Sequence, residues 1–376
     1  MYITVRQKSY AKQLSWDDIM DDVAPTIPWG VQGRIGTITR IVYSIPQEVC
    51  AKANIAGMRN KLSAFVQKHE QLYLCNRASL YRTFFIPKQS GGLRRIDAPN
   101  QLLMDALREL KNILEIDCGA LYHTAAFAYV KNRCCVDAVK KHQRNESNFF
   151  LKLDFKNFFG STTPEFLYHM ITMSFPFCEI VKTQDGKNTL LKALDLCFLN
   201  GGLPQGTPIS PLLTNLMMIP IDHRIFNALA NRKIVYTRYA DDLLISAVES
   251  FSKDKMSDFI NKVLTEQHAP FRINEEKTRY GSRKGANWNL GVMLNKNNDI
   301  TVGHMKKKHF KAAVCNFICD FQHGKRWAAD EVQTLRGQLS FFRSVEPEYF
   351  DYIIRHMNQK FHANVEEMMR ICMSVS

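Results

Sequence analysis

Three aspartates sit where their surroundings make them chemically conspicuous. Asp154 closes the apolar run FFLKL, and Asp241 and Asp242 interrupt VYTRYADDLLIS, a stretch rich in aromatic and β-branched residues. Such residues favour pleated, half-buried strands, and a carboxylate at the tip of a buried strand is costly unless a cation meets it. An acidic pair in a solvated hairpin would be ordinary, but apolar flanks on both sides weaken that reading. If the two strands are neighbours, Asp154 and Asp241 converge as hard oxygen donors, a set suited to Mg²⁺. No His or Cys accompanies them, which argues against zinc. Two such cations can activate a hydroxyl nucleophile and stabilise the leaving oxygen of an in-line phosphoryl transfer.

The elements that must position these carboxylates are readable around them. Apolar residues at helical spacing in AKANIAGMRNKLSAFVQKHEQLYL predict a mainly helical start, over residues 1–80. RTFFIPKQSGGLRRIDAP predicts two short strands joined at Ser90-Gly91-Gly92, a hairpin carrying Lys88, Arg94 and Arg95. Asn100 then caps a helix whose Leu103, Leu107, Leu110 and Leu114 form one core stripe. Phe149 to Leu153 reads as a buried strand, and LPQGTPIS as a Gly/Pro loop feeding a helix with Ser210 as cap and Pro211 at the first helical position. From His304 onward the pattern is helical and opens on the basic HMKKKHFK.

Composition bounds the function classes. The 376 residues are 45% hydrophobic and 23% charged, enough for a sizeable core. Fifty Lys and Arg against 36 Asp and Glu leave a formal charge of +14, which favours a polyanionic partner, with simple solubility as the plainer alternative. Lys131, Arg133, Lys140, Lys141 and Arg144 form one basic cluster, and Lys306, Lys307, Lys308 and Lys311 another, both able to track a phosphate backbone. The ten cysteines show no CxxC spacing and read as reduced thiols. With no signal-like N-terminus and no apolar run near the roughly 20 residues of a membrane helix, a cytoplasmic protein with no membrane partner is expected.

Six stretches, taken in order, resemble the bacterial reverse transcriptases, a family that spans retron, group II intron-like and defence-associated enzymes. FFIPKQSGGLRRIDAP is similar to the fingers motif, LKLDFKNFF to the first catalytic motif and GGLPQGTPISPLLTN to the glycine-proline-glutamine motif. YADD is similar to the second catalytic motif, with INEEKTR and NLGVMLN after it. The resemblance implies an α+β right-hand polymerase with fingers, a palm built on an antiparallel RRM-like sheet, and a helical thumb. The expected divisions are a helical N-terminal region at 1–80, fingers with part of the palm at 81–150, the palm with the catalytic motifs at 151–303, and the thumb at 304–376.

Carried over residue by residue, the resemblance implies that Asp154 and Asp241 ligate two Mg²⁺ ions, with Mn²⁺ as an alternative. Asp242 assists, and the Phe155 carbonyl completes one shell. Phe159 matches the aromatic gate against a ribose 2′-hydroxyl; it also reads as a plain core aromatic, and since only one of Phe158 and Phe159 can face the nucleotide, the spacing favours Phe159. Lys88 and Arg94 match the triphosphate-binding cations, Gln205 and Gly206 the residues packed by the new base pair, and Lys277 a general acid for departing pyrophosphate. Lys277 also reads as a plain surface lysine beside Glu275 and Glu276. The implied partners are an RNA template, a DNA product and dNTPs, with an accessory protein or a second copy as further candidates.

Two stretches depart from the retron pattern. CVDAVKKH stands where retron enzymes carry Asn-Ala-x-x-His, and NLGVMLN keeps Gly291 where they carry Val-Thr-Gly. The expectation is therefore a compact polymerase of the antiphage-defence kind, copying a dedicated noncoding RNA and lacking a maturase or nuclease extension. Untemplated or protein-primed DNA synthesis by the same carboxylates, and a noncatalytic RNA-binding module, are the competing readings.

Overall fold

The computed structural model describes residues 54–88, 91–118, 122–230, 232–285 and 290–374. The helical expectation for residues 1–53 and the Ser90 position of the hairpin turn lie outside them. Helix α1 (Ile55–Lys68) begins where Asn54 Oδ1 accepts the Gly57 N–H at 2.7 Å, and it buries Met58, Leu62 and Phe65. Strands β1 (Tyr81–Pro87) and β2 (Leu93–Pro99) form the expected antiparallel hairpin, with Phe85 opposite Arg95 and Thr83 opposite Asp97. Asn100 Oδ1 accepts the Leu103 N–H at 2.9 Å as α2 (Gln101–Cys118) begins, and all four leucines of its stripe are fully buried.

After α3 (Cys135–Arg144) comes β3 (Phe149–Lys156), the central strand of the main sheet. Helices α4 (Pro164–Thr172), α5 (Gln184–Asp195), α6 (Ser210–Met217) and α7 (Ile219–Ala230) precede the hairpin of β4 (Val235–Tyr239) and β5 (Asp242–Ala247). Helix α8 (Lys253–Glu266) leads to β6 (Arg272–Ile273) and β7 (Arg279–Ser282). The sheet order is β4-β5-β3-β6, β7 also pairs with β3, and every pairing is antiparallel.

Strand parity sorts the side chains of the sheet. Leu151, Leu153 and Phe155 of β3, with Leu243, Ile245 and Ala247 of β5, belong to the first hydrophobic core, which α4 to α8 help to build. Phe150, two residues from Lys152 and four from Asp154, lies on the other face and belongs to a second core. That second core gathers Val136 and Val139 of α3 and Val292 with the residues that follow it. These are the short pair β8 (Met293–Leu294) and β9 (Ile300–Thr301), then α9 (His304–Gln322), α10 (Ala329–Val345), α11 (Pro347–Phe361) and α12 (Val365–Ser374).

One local expectation needs correction. Ser210 is already inside α6, and its hydroxyl bonds the Pro204 carbonyl at 3.0 Å and the Thr207 hydroxyl at 2.6 Å. The Ser210 side chain thus braces the preceding loop instead of capping the helix.

Candidate active site

The two carboxylate-bearing strands are neighbours, as the chemistry requires. Asp154 lies directly opposite Asp242 in the β3–β5 register, and the Asp241 carbonyl accepts the Phe155 N–H at 3.1 Å. The turn between β4 and β5 contains only Ala240 and Asp241, and Ala240 takes the left-handed conformation with φ of +59°. The three carboxylates therefore meet at one end of the sheet.

Burial, then the charges of Asp242 and Asp154, push the Asp241 carboxyl up to about 6. Burial also raises Asp242, opposed by the ammonium of Lys152. That ammonium stands 3.0 Å from Asp242 Oδ1 as an ion pair, without the alignment of a directed hydrogen bond. Lys277 Nζ lies 3.2 Å from both oxygens of Asp154. Each outer carboxylate thus has its own lysine. The sequence reading found Lys277 but missed Lys152, whose signal was its position two residues before Asp154, on the same strand face.

Among the described residues, no group of three or more His, Cys, Asp or Glu side chains is gathered in metal-ligating geometry. The donor chemistry nevertheless fits a hard divalent cation. It consists of buried, closely spaced carboxylate oxygens with no softer ligand among them, and a cation would offset both the burial and the repulsion that raise Asp241.

A cleft of about 1050 Å³ opens over these carboxylates, and every candidate catalytic, metal-ligating or nucleotide-binding residue from the sequence except Gly206 borders it. Lys88 and Arg94 reach it from the β1–β2 hairpin and so share one cleft with the aspartates. Arg95 is engaged elsewhere: its Nε donates to both oxygens of Asp97 at 2.9 and 3.1 Å, and Thr83 donates to the same carboxylate. Of the two adjacent phenylalanines, Phe158 is 2% exposed and packs on Phe155 and Phe271, while Phe159 is only partly buried. The Phe155 ring is likewise in the core, so main chain is what that residue can offer the cleft.

The LPQGTPIS loop is fastened to the hairpin. Asp97 N–H donates to the Gln205 carbonyl at 2.8 Å, and Gly206 lies behind that contact with φ of +121°. A Cβ at Gly206 would stand 2.9 Å from the Asp97 carbonyl oxygen, so the close approach requires glycine.

The basic clusters divide on inspection. Lys306 Nζ donates to the Gly291 carbonyl at 2.5 Å and Lys307 pairs with Glu346 at 2.6 Å, whereas Lys308 and Lys311 are exposed. Arg133 donates to the His123 and Ala126 carbonyls, while Lys131, Lys141 and Arg144 are exposed. Part of each expected phosphate-tracking surface therefore holds the fold instead. No helix among the described residues is long and apolar enough to cross a membrane.

Comparison with known proteins places the chain in a family. Residues 86–314 match the family model described as reverse transcriptase (RNA-dependent DNA polymerase). The retron Ec83 reverse transcriptase of Escherichia coli is 31% identical over 286 residues, covering 73% of this chain and 86% of that protein. The retron Ec73 enzyme of the same species is 26% identical with the same two coverages. The retron Mx162 enzyme of Myxococcus xanthus is 28% identical over 302 residues, 59% of its length. A telomerase structure from Candida albicans overlays 78% of this chain and 60% of its own, with 13% identity and a TM-score of 0.45. The kinship with retron enzymes holds although CVDAVKKH and NLGVMLN depart from their pattern. In the first of these, His142 is fully buried between Thr237 and Ser246. The chain belongs to the reverse transcriptase family and is a nucleotidyltransferase related to the bacterial retron enzymes.

Proposed function

We propose that the protein extends a primer 3′ end with dNTPs on an RNA template, using the cleft over Asp154, Asp241 and Asp242. The observation that carries this reading is the meeting of these carboxylates at one sheet end, in one cleft with the hairpin cations Lys88 and Arg94. In right-hand terms, residues 81–150 serve as fingers, 151–303 as palm and 304–376 as thumb.

Asp154, Asp241, Asp242 and the Phe155 carbonyl would hold two Mg²⁺ ions, which when bound lower the cost of deprotonating the primer hydroxyl and of charge on the leaving oxygen. Lys88 and Arg94 bind the triphosphate, the guanidinium by paired hydrogen bonds and the ammonium as a point charge. Phe159 fills the space a ribose 2′-hydroxyl would need. Gln205 and Gly206 bring the loop's main chain against the nascent base pair. Lys277, poised on Asp154, donates a proton toward departing pyrophosphate. The resemblance to the family's defence-associated enzymes extends the reading to a structured noncoding RNA as template and bacterial antiphage defence as the setting.

The test is primer extension on RNA with labelled dNTPs. Wild-type protein should incorporate them, and Asp241→Ala combined with Asp242→Ala should abolish incorporation while leaving RNA binding intact. Synthesis retained in that variant would sink the proposal. Sequencing the product against copurified RNA separates templated from untemplated synthesis.

A further inference from the structure

Arg238, in the β4 strand just before the YADD turn, is fully buried, and the phosphate-binding reading of basic residues does not account for it. Its Nε donates to both oxygens of Asp222 at 2.9 and 3.0 Å, and its Nη2 donates to Asp222 Oδ2 at 2.8 Å. Asp222, on α7, is also fully buried and accepts the Tyr236 hydroxyl at 2.7 Å. The remaining terminal nitrogen, Nη1, donates at 3.1 Å to Asn215 Oδ1 and at 3.2 Å to the carbonyl of Ala240. Asn215, the last residue of GGLPQGTPISPLLTN, donates its own amide to the Ala128 carbonyl at 2.8 Å.

Ala240 is where this matters. A non-glycine residue in the left-handed region is strained and persists only when neighbours over-determine it. Its carbonyl belongs to the peptide unit whose N–H is that of Asp241, so fixing that oxygen fixes the plane from which the Asp241 side chain departs. A merely structural role would explain the bidentate pair with Asp222 but would leave the Nη1 contacts as incidental. A guanidinium is the one side chain whose rigid fork can serve Asp222, Asn215 and Ala240 together.

We infer that Arg238 is a positioning residue, aligned by Asp222 and Asn215, that sets the orientation of Asp241 through the Ala240 carbonyl. This rests on the reading of Asp241 as a catalytic carboxylate. Through Asn215, the same network links the YADD turn to α6, the helix that follows the Gln205 loop.

The experiment compares turnover, dNTP KM, RNA affinity and melting temperature in Arg238→Met, Arg238→Lys, Asn215→Ala and Tyr236→Phe. The ammonium of Arg238→Lys keeps Asp222 paired, so this variant should melt closer to wild type than Arg238→Met. It should turn over about 10²-fold more slowly than wild type, the scale of a small misplacement of a reacting group. Its dNTP KM should stay within about threefold of wild type, because no substrate contact is removed. Asn215→Ala should lower turnover by roughly tenfold through the same Nη1 linkage. Tyr236→Phe removes another partner of Asp222, and should lose stability but keep wild-type turnover. Turnover that simply follows melting temperature across the series, or wild-type turnover in Arg238→Lys, overturns the inference. If the Arg238 variants do not fold, unchanged turnover in Asn215→Ala overturns it. A wild-type protein that incorporates no dNTP overturns the underlying reading of the site instead.

Discussion

At the scale of single residues, the site depends on positions that tolerate little change. A methyl group at Gly206 would collide with the Asp97 carbonyl, and the backbone there has φ of +121°. Gly206→Ala should therefore destabilise the fold by about 1–3 kcal/mol, read as a lower melting temperature. It should also raise dNTP KM, because the loop and the hairpin are forced apart. Phe159→Ala should raise rNTP use relative to dNTP use by about 10- to 100-fold in kcat/KM, as expected when a steric contact is removed from a selective pocket. The convergence of the aspartates was legible because apolar, strand-like flanks constrain them, whereas the choice of Phe159 over Phe158 rested on motif spacing, and the structure puts the Phe158 ring in the core. Lys152 and Arg238 were not legible. A lone basic residue in a strand reads as solvent-facing, and only tertiary neighbours show that one pairs with Asp242 and the other with Asp222, sixteen positions back.

At the scale of elements, α3 is seated on the sheet by a titratable group. His142 bonds the Ser246 hydroxyl at 2.6 Å and the Thr237 hydroxyl at 2.8 Å, and burial depresses its pKa from 6.5 to about 3. The unfolded chain therefore binds the extra proton first, and this contribution to stability is intact above pH 6.5 and lost progressively as pH falls toward 3. Between pH 6.5 and about 5 the loss from this residue should be about 1.5 kcal/mol, seen as a steeper acid limb in denaturant titrations. His142→Gln should flatten that limb. The hairpin, the capped α2 and strands β3 to β5 were readable from period and turn residues. The two-residue strands β6, β8 and β9 were not, because alternation needs more length to show itself, and Ser210 was misread because its hydroxyl turns back to Pro204.

At the scale of the whole molecule, the excess of positive charge is only partly available to a nucleic acid. RNA affinity should weaken as salt rises, and Lys308→Gln with Lys311→Gln should reduce the log–log slope by roughly 1–2. Lys307→Gln should instead lower the melting temperature, since its ammonium is spent on Glu346. Net charge was legible in the sequence, but its division between fold and surface was not, because that depends on which lysines find carboxylates and carbonyls after folding. The order of the strands was likewise hidden, since no local pattern says that β3 inserts between β5 and β6. The strand that carries Asp154 also has Phe150 in one hydrophobic core and Leu151, Leu153 and Phe155 in the other. Neither core can open without loosening a neighbour of Asp154. Amide protons of residues 150–155 should accordingly exchange with solvent among the slowest in the chain, and a truncation that removes the C-terminal helices should quicken their exchange far from the cut.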